Sequence, residues 1–372
     1  RFGALVVGGE SAVRPERLRA IAGLPRGALF HPREIDRATE RLRRTETFRA
    51  VALREAERAN PDGTLDITAT VQDAPPRRIG FGAELDSEDG ATLTGYWLHR
   101  NLLSGAERFR IEGEITGIGT GNERPDYRLK AEFRRPGTLE PDTDLVSSLT
   151  LESLDNPLYR SDQADLRIGL DRTFGDRFKV YAGAGLRYAR SSTIFGTRDY
   201  TQVILPVGAE YDRRDDPVDA RSGYYLAGSA MPFAALDDSA SGLRLTGDAR
   251  AYRAFGPQDR LVLAGRLQFG SVIGPDLRDA VPGDLFYSGG GGTVRGQDFE
   301  SLGIPVPGFN GLIGGRSFLG LSAELRARVG ERLSLVGFYD RGYVGRDAWP
   351  DLGGPSHAGA GLGLRYDTGL GP

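Results

Sequence analysis

The sequence predicts a mainly β protein, in which a transmembrane antiparallel β-barrel follows one small α+β domain. From Arg77 onward, apolar and polar residues alternate with period two, the pattern of strands with one apolar and one polar face. Many of these runs reach about ten residues, whereas strands of soluble sheets are usually about 5–6 residues long. Helical periodicity is confined to residues 1–76. These observations favour a membrane barrel over a soluble β-sandwich.

Composition excludes several function classes. The chain has 372 residues and a formal net charge of −3, so no basic field for nucleic acid is expected. It has no Cys, which excludes disulfides and thiolate metal sites. The histidines lack ligand spacing, and we expect no catalytic, metal or cofactor site and no enzyme activity. No run approaches the ~18 apolar residues of a transmembrane helix. A membrane barrel needs no such run, because its lipid-facing residues alternate with polar ones.

Residues 1–76 carry the pattern β-α-α-β-β. Prolines at the starts of two helical patterns suit the first turn, where the missing N–H costs nothing. Pro75 and Pro76 close the unit as a stiff joint. The predicted elements are a strand at 2–7, helices beginning at Pro15 and Pro32, and strands at 48–55 and 65–71.

Residues 77–372 contain fourteen alternating runs. They lie near 77–86, 91–100, 106–117, 126–136, 143–155, 159–174, 177–190, 198–214, 222–234, 241–255, 259–272, 316–329, 332–345 and 356–368. Tight connections, such as 175–176 and 256–257, alternate roughly with longer ones, as expected for antiparallel strands with short turns at one rim. Aromatic residues near strand ends predict a membrane girdle. They are Tyr96, Trp97, Tyr188, Tyr224, Tyr225, Phe286 and Tyr287.

The long connection at 273–315 contains four consecutive glycines followed by Arg295. A connection of this length is usually functional or disordered. Its glycine spacing is not that of a phosphate-binding loop. Alternation in the next two strands points Glu324 and Asp340 inward from neighbouring positions. An arginine on a loop folded back into the barrel could fork between these carboxylates; the alternative is three independently solvated charges.

Four motifs, in the same order, resemble those of the bacterial outer-membrane assembly factors that include BamA and TamA. Residues 294–299 resemble the Val-Arg-Gly-aromatic loop motif, and 322–326 and 337–342 resemble the two strand motifs that follow it. Residues 211–224 resemble the mid-barrel strand-turn-strand motif, and 1–76 resemble a polypeptide-transport-associated (POTRA) domain. Within the family, residues 286–303 are more similar to the TamA branch.

The resemblance implies a loop lock in which Arg295 contacts carboxylates on the inner wall. Gln297 stands where the family usually has an aromatic residue, which is expected to loosen the loop tip. The implied lock residues are Val294, Arg295, Gly296, Glu324, Phe338 and Asp340. The mid-barrel motif comprises Asp212, Arg213, Asp215, Arg221 and Gly223. Because arginines are interleaved with the aspartates, we interpret this motif as turn and rim salt bridges rather than a metal site.

Family barrels have sixteen strands and a lateral seam between the first and the last. Residues 364–372 resemble the lead into the last two strands, so the barrel at 77–372 is expected to be C-terminally truncated, with about fourteen strands. The chain then carries only the first-strand side of the seam. Its residues there are Ile79, Phe81, Ala83 and Leu85.

The function implied by the resemblance is insertion of β-barrel proteins, such as autotransporters, into the Gram-negative outer membrane. A client strand would pair at the seam, without covalent chemistry or a cofactor. Expected partners are the lipid bilayer, unfolded outer-membrane clients and a TamB-like partner that meets the N-terminal domain in the periplasm. Two alternatives are a two-partner secretion pore and the barrel half of a patatin-like phospholipase fusion. A Gly-x-Ser-x-Gly motif before Arg1 would indicate the fusion.

Overall fold

The computed structural model describes residues 1–86, 90–119, 124–156, 158–308 and 311–368. Two helices and a three-stranded sheet form the N-terminal region, and a large antiparallel sheet begins at Arg77. Among the residues described, neither helix is long and apolar enough to cross a membrane.

The N-terminal elements occur in the predicted order. They are β1 (Phe2–Gly8), α1 (Pro15–Ala22), α2 (Pro32–Arg44), β2 (Phe48–Glu55) and β3 (Leu65–Asp73). A proline opens each helix, and Gly23 ends α1 in the left-handed conformation, at φ 60°. The sheet order is β1-β3-β2, with β1 parallel and β2 antiparallel to β3.

Both helices pack one face on this small sheet. Leu18 and Ile21 of α1 and Leu42 of α2 are fully buried, and Ile67 of β3 belongs to the same apolar cluster. One further member, Ala106, comes from the large sheet, from the turn after its second strand. The N-terminal core is therefore completed by a residue of the barrel.

The large sheet consists of the predicted runs. Its strands are β4 (Arg77–Asp86), β5 (Gly90–Arg100), β6 (Arg108–Ile118), β7 (Asp126–Arg135), β8 (Thr143–Asn156), β9 (Tyr159–Phe174), β10 (Phe178–Thr193), β11 (Gly196–Ile204), β12 (Val207–Asp212), β13 (Gly223–Ala235), β14 (Gly242–Phe255), β15 (Leu261–Ile273), β18 (Ser317–Arg328), β19 (Leu333–Gly345) and β20 (Ser356–Tyr366). Two short strands, β16 (Ile304–Pro305) and β17 (Leu312–Ile313), pair within the connection before β18. Neighbouring strands of the large sheet pair antiparallel from β4 to β20, with β11 and β12 sharing one place between β10 and β13, which confirms the predicted fold class.

One predicted run is broken in two. The run at 198–214 becomes β11 and β12, separated by Leu205 and Pro206. Proline has no N–H to donate to a ladder. The Pro206 carbonyl instead accepts from the Gly183 N–H at 2.9 Å, and the Leu205 N–H donates to the Pro232 carbonyl at 2.9 Å. Both halves therefore keep the same two neighbours, β10 and β13, across an irregular step.

The two faces of the large sheet differ as the alternation predicts. The outer face is apolar and exposed, and includes Leu149, Leu166, Ile168, Leu186, Leu263, Leu321 and Leu364. The inner face carries charges that pair between strands. Arg128 of β7, for example, reaches Glu114 of β6 at 3.3 Å and Glu152 of β8 at 2.7 Å. Opposite charges placed side by side on neighbouring strands let a polar wall form without unpaired charge.

The predicted aromatic girdle is partly wrong. Outer-face aromatic rings do form a belt near the turn rim, with ring centroids about 6 Å apart, comprising Trp97, Phe109, Phe174, Phe178, Tyr211 and Tyr224. Tyr96 and Tyr225, however, lie against inner-face arginines, with the guanidinium carbon of Arg110 4.0 Å from the Tyr96 ring centroid. Phe286 and Tyr287 belong to the connection before β18, not to a barrel strand. Adjacent aromatics on a strand point to opposite faces, so only one of each pair can meet lipid.

The N-terminal domain packs on one part of the barrel rim, which we call the docking rim: the turns at 101–107 and 136–142. Asp142 accepts from the guanidinium of Arg41 at 2.7 and 3.0 Å and from that of Arg44 at 2.9 Å. The Arg14 N–H donates to the Ser104 carbonyl at 2.9 Å. These contacts join α1 and α2 to two separate turns, so they fix the orientation of the domain.

We expect this docking to depend on pH through Asp142. Partial burial raises the pKa of Asp142, but the hydrogen bonds and charges of Arg41 and Arg44 outweigh burial and hold the pKa below its ordinary value. Docking stability is then fully present above the ordinary aspartate pKa, ~3.9, and is lost as the pH falls through the lowered pKa. The protection of residues 136–142 against hydrogen exchange, taken relative to the intrinsic exchange rate at each pH, should therefore fall in acid.

Asp142→Asn should show the lower protection already at neutral pH and little further loss of protection in acid. Asp36→Asn, on the exposed side of α2, is the matched control and should behave like the parent protein. Equal exchange in all three proteins would show that the Asp142 contacts do not hold the domain.

Candidate functional site

The connection between β15 and β18, residues 274–316, folds back inside the sheet. Its backbone pairs with itself, Phe286 with Gly315 at 2.7–2.8 Å and Ser288 with Leu302 at 2.9–3.0 Å. A buried apolar cluster holds this lumen loop against the wall; it comprises Ala280, Leu285, Ile304, Val306, Ile313, Phe318 and Val344. A cavity of about 740 Å³, lined by mixed charges, separates the loop from the N-terminal domain.

The structure brings Arg295 together with both predicted carboxylates. Its Nε and Nη2 donate to Asp340 at 2.7 and 2.9 Å, and its Nη1 donates to Glu324 at 2.6 Å. The backbone N–H of Arg295 also donates to Asp340, at 3.1 Å. The fork on Asp340 is bidentate, which fixes the plane of the guanidinium as well as its position.

Close packing around the arginine completes this lock. The Phe338 ring lies under the guanidinium, with its centroid 3.8 Å from Cζ of Arg295, a close cation–π contact. Val294 is fully buried. Gly359 of β20 lies so close to the loop that a Cβ there would be 2.0 Å from the Arg295 carbonyl oxygen. Gly296 takes positive φ, 83°, and turns the chain away after the arginine.

Burial makes the carboxylates depend on the arginine. Asp340 is 1% exposed, and Glu324 is shared between Arg295 and Arg326, whose Nε donates to it at 2.7 Å. Removing one partner of a buried pair costs about 3–5 kcal/mol because the other charge stays buried. The Arg295 side chain is 32% exposed, so solvent screening places its loss at the lower end of that range.

Gln297, for which the sequence suggested a looser loop tip, contacts the wall. Its side-chain amide donates to the Ala358 carbonyl of β20 at 2.8 Å. Next to it on β20, His357 shares a hydrogen bond of 2.9 Å with Ser288 of the loop. A polar residue thus replaces aromatic packing with a direct bond to the strand.

The mid-barrel motif forms a turn. Asp212 holds the Arg214 guanidinium at 2.7 and 3.0 Å, and one oxygen of Asp215 accepts from three backbone N–H groups between 2.9 and 3.1 Å. Burial raises the pKa of Asp215, and these N–H groups outweigh it and lower the pKa. The Arg213 N–H donates to the Tyr224 carbonyl at 2.8 Å.

The same turn requires Gly223 and orients Arg221. Gly223 has φ 95°, and a Cβ there would lie 2.0 Å from the Arg213 carbonyl oxygen. The Arg221 guanidinium donates to the Asp259 backbone carbonyl in the neighbouring turn. Among the residues described, no group of acids or histidines is arranged to hold a metal ion.

The proposed seam residues lie on an edge. β4 and β20 are the two ends of the sheet, and no ladder joins them within the part of the chain described. The apolar seam side chains point outward, with Ile79, Phe81 and Leu85 64–87% exposed and Ala83 also exposed. The lock lies near the other edge, because the loop contacts β20 directly.

Sequence reasoning missed one group of loop contacts. Asp284 lies in an aperiodic stretch, where no repeat indicates which wall residue it meets. Its partner, Arg187, did carry a signal, because Arg187 and Asp165 fall on the polar faces of neighbouring strands and pair directly in register. Because these opposite charges share one register position, the Arg187–Asp165 contact could have been predicted from the sequence.

Fold and site together define a class: a membrane β-barrel with a lumen loop held by an arginine. The Omp85 superfamily domain model matches residues 101–372, and the chain belongs to that superfamily. Its barrels lie in the outer membrane of Gram-negative bacteria, act on client proteins, and are generally not enzymes.

Solved structures share the fold at low sequence identity. BamA from Haemophilus ducreyi lacking POTRA domains 1–3 superposes with a TM-score of 0.81 at 16% identity, over 100% of this chain and 80% of that one. CdiB from Acinetobacter baumannii gives 0.66 at 16% identity, over 99% and 68%, and CdiB from Escherichia coli gives 0.60 at 16%, over 98% and 70%. No curated protein matches the chain by sequence.

We expect Arg295→Lys to weaken the lock and Arg295→Ala to release the loop tip. Lysine keeps the charge but loses the fork, whereas alanine leaves Asp340 buried and unpaired. Hydrogen exchange of residues 288–299 should be slowest in the parent protein, faster in the lysine variant and fastest in the alanine variant. Arg278→Ala, an exposed arginine of the same loop, is the control; identical exchange in Arg295→Ala and the parent would contradict the lock.

Proposed function

We propose that this protein inserts β-barrel proteins into the outer membrane by pairing a client strand with the edge of β4. Within the described residues β4 has a ladder on one side, to β5, and is the end of the sheet on the other. An unpaired edge offers a row of N–H and C=O groups, the template that strand addition requires. The outward row Ile79, Phe81, Ala83 and Leu85 would keep the paired client strand in lipid.

The observation that carries the proposal is that the Arg295 lock braces the opposite edge. The loop donates from Gln297 to Ala358 of β20 and meets His357 on the same strand. Arg295 itself joins β18 and β19 through Glu324 and Asp340. Fixing these three strands fixes the end of the described sheet that lies opposite to β4 in the strand order, so the lock would influence the shape of the wall on the side of the seam away from β4.

A two-partner secretion pore is the alternative, in keeping with the fold shared with the CdiB structures. A polypeptide passing through the lumen would have to displace the loop, breaking the buried Asp340 fork and the apolar cluster around Phe318. Strand addition at β4 needs no such displacement. The packed loop therefore supports insertion over conduction.

The finer assignments extend this proposal. Residues 1–76 would be a periplasmic POTRA domain, supported by the β-α-α-β-β order and the order of its sheet. The protein would be TamA-like, with autotransporters among its clients and a TamB-like partner reaching the N-terminal domain. The loop residues 286–303 support this branch.

A crosslinking experiment tests the site of pairing. The chain has no cysteine, so Ala83→Cys on β4 gives a single reactive thiol at the seam. With a client carrying one cysteine in its terminal strand, disulfide formation during assembly into liposomes should occur at position 83. Leu149→Cys, an outward position on the interior strand β8, is the matched control and should give little product. Equal crosslinking at both positions would argue against pairing at β4.

The lock should matter for assembly rather than for insertion of the protein itself. We expect Arg295→Ala to enter the membrane normally but to assemble client about tenfold more slowly, if the lost contact costs ~1.4 kcal/mol or more in the working state. Glu324→Arg should be at least as damaging, because it places like charges together. The measurement is the rate of client folding in liposomes at equal barrel content. Parent-like rates in both variants would contradict a role for the lock.

A further inference from the structure

A second ion-pair group holds the lumen loop far from Arg295. Arg187 of β10 donates from Nε to Asp165 of β9 at 3.0 Å and from Nη1 to Asp284 of the loop at 2.8 Å. Arg244 of β14 donates to the Asp284 backbone carbonyl at 3.1 Å. One loop residue is thereby bonded to β10 through its carboxylate and to β14 through its backbone carbonyl, and Arg187 connects it further to β9.

This group is better shielded from solvent than the Arg295 lock. The side chains of Arg187, Asp165 and Asp284 are 5%, 7% and 10% exposed, compared with 32% for Arg295. Charges buried to this degree are held strongly by a partner and are costly to leave without one. Asp165 also accepts from Gln163 at 2.7 Å, which orients it toward Arg187.

The local backbone presents Asp284 to the wall. Asp284 is the last residue of a short 3₁₀ turn, Pro282–Asp284, and its N–H donates to the Val281 carbonyl at 2.9 Å. Nearby, the buried Tyr200 hydroxyl donates to the Ala280 carbonyl at 3.2 Å. This part of the loop is therefore ordered by contacts with β9, β10, β11 and β14.

We propose that Arg187, aligned by Asp165, is a second positioning residue: it anchors the loop through Asp284 and so determines where Arg295 is presented. The two anchors lie on different walls, Arg187 on β10 and the Arg295 partners on β18 and β19, with β11, β13, β14 and β15 between them. Residues 285–294 span the lumen from one anchor to the other. The loop is then a brace between two walls, and its role in assembly rests on the function proposed above.

Two independent anchors make a specific prediction for loop opening. Asp284→Asn removes the charge with little change in shape and leaves the Arg187–Asp165 pair intact. Hydrogen exchange of residues 286–303 should rise about tenfold in this variant. Exchange of β9 and β10 should stay at the parent level, because their ladder is untouched; a general loss of structure would raise both. Arg295→Ala should raise loop exchange as well, and the double variant should exceed either single variant.

Two further variants sharpen the test. Asp279→Asn is the matched control, since Asp279 lies in the same loop but pairs with Arg198 in an exposed contact, which is worth little. Asp284→Glu keeps the charge and should restore most of the protection. Loop exchange in Asp284→Asn equal to that in Asp279→Asn, or wall exchange that rises as much as loop exchange, would overturn the second anchor.

Client assembly in the same variants separates the two proposals. Reduced assembly in Arg295→Ala, with parent-like loop exchange in Asp284→Asn, would remove the second anchor and leave the insertase function standing. Increased loop exchange in Asp284→Asn, with unchanged assembly in both variants, would leave the anchor standing and remove the role of the loop in assembly. Slower assembly together with the predicted exchange pattern supports both.

Discussion

The buried carboxylate of Asp340 is the constraint on which this end of the barrel depends. It is almost fully removed from solvent, so it must be paired, and its partner arrives from a loop rather than from the wall. The fork on Asp340, the shared Glu324 and the Phe338 ring act on a single guanidinium. A loop rich in glycine, with little conformational preference of its own, thereby obtains one position in the lumen.

The alternation of side chains between the two faces of a strand explains why so much of the fold could be predicted from the sequence. A wall with lipid on one side and water on the other forces strict alternation, so strand number, sheet order and the inward direction of Glu324 and Asp340 follow from counting. Aromatic residues misled the girdle prediction where two stood side by side, because parity sends one inward, as with Tyr96 beside Trp97. The break at Pro206 could also have been anticipated, since proline cannot serve a central ladder on both sides.

Contacts of the aperiodic loop could not be read in the same way. A loop residue such as Asp284 lies outside any alternating pattern, so its sequence position does not indicate which strand residue it meets. Many inner-face arginines were available to it. Gln297 shows a related limit: its departure from the family pattern indicated a lost aromatic contact, whereas the amide found the backbone of β20. Family resemblance located Arg295 because its neighbours in the chain are distinctive, and Asp284 has no such neighbours.

The shared core at the docking rim has a consequence for biogenesis. Residues 1–76 are synthesised before the barrel strands. Ala106, which completes their apolar cluster, is synthesised later, with the hairpin of β5 and β6. Asp142, which receives Arg41 and Arg44, comes later still. Final consolidation of residues 1–76 thus waits for strands that themselves mature in lipid, so a chaperone bound to the unfolded chain would meet these residues still lacking their last contacts.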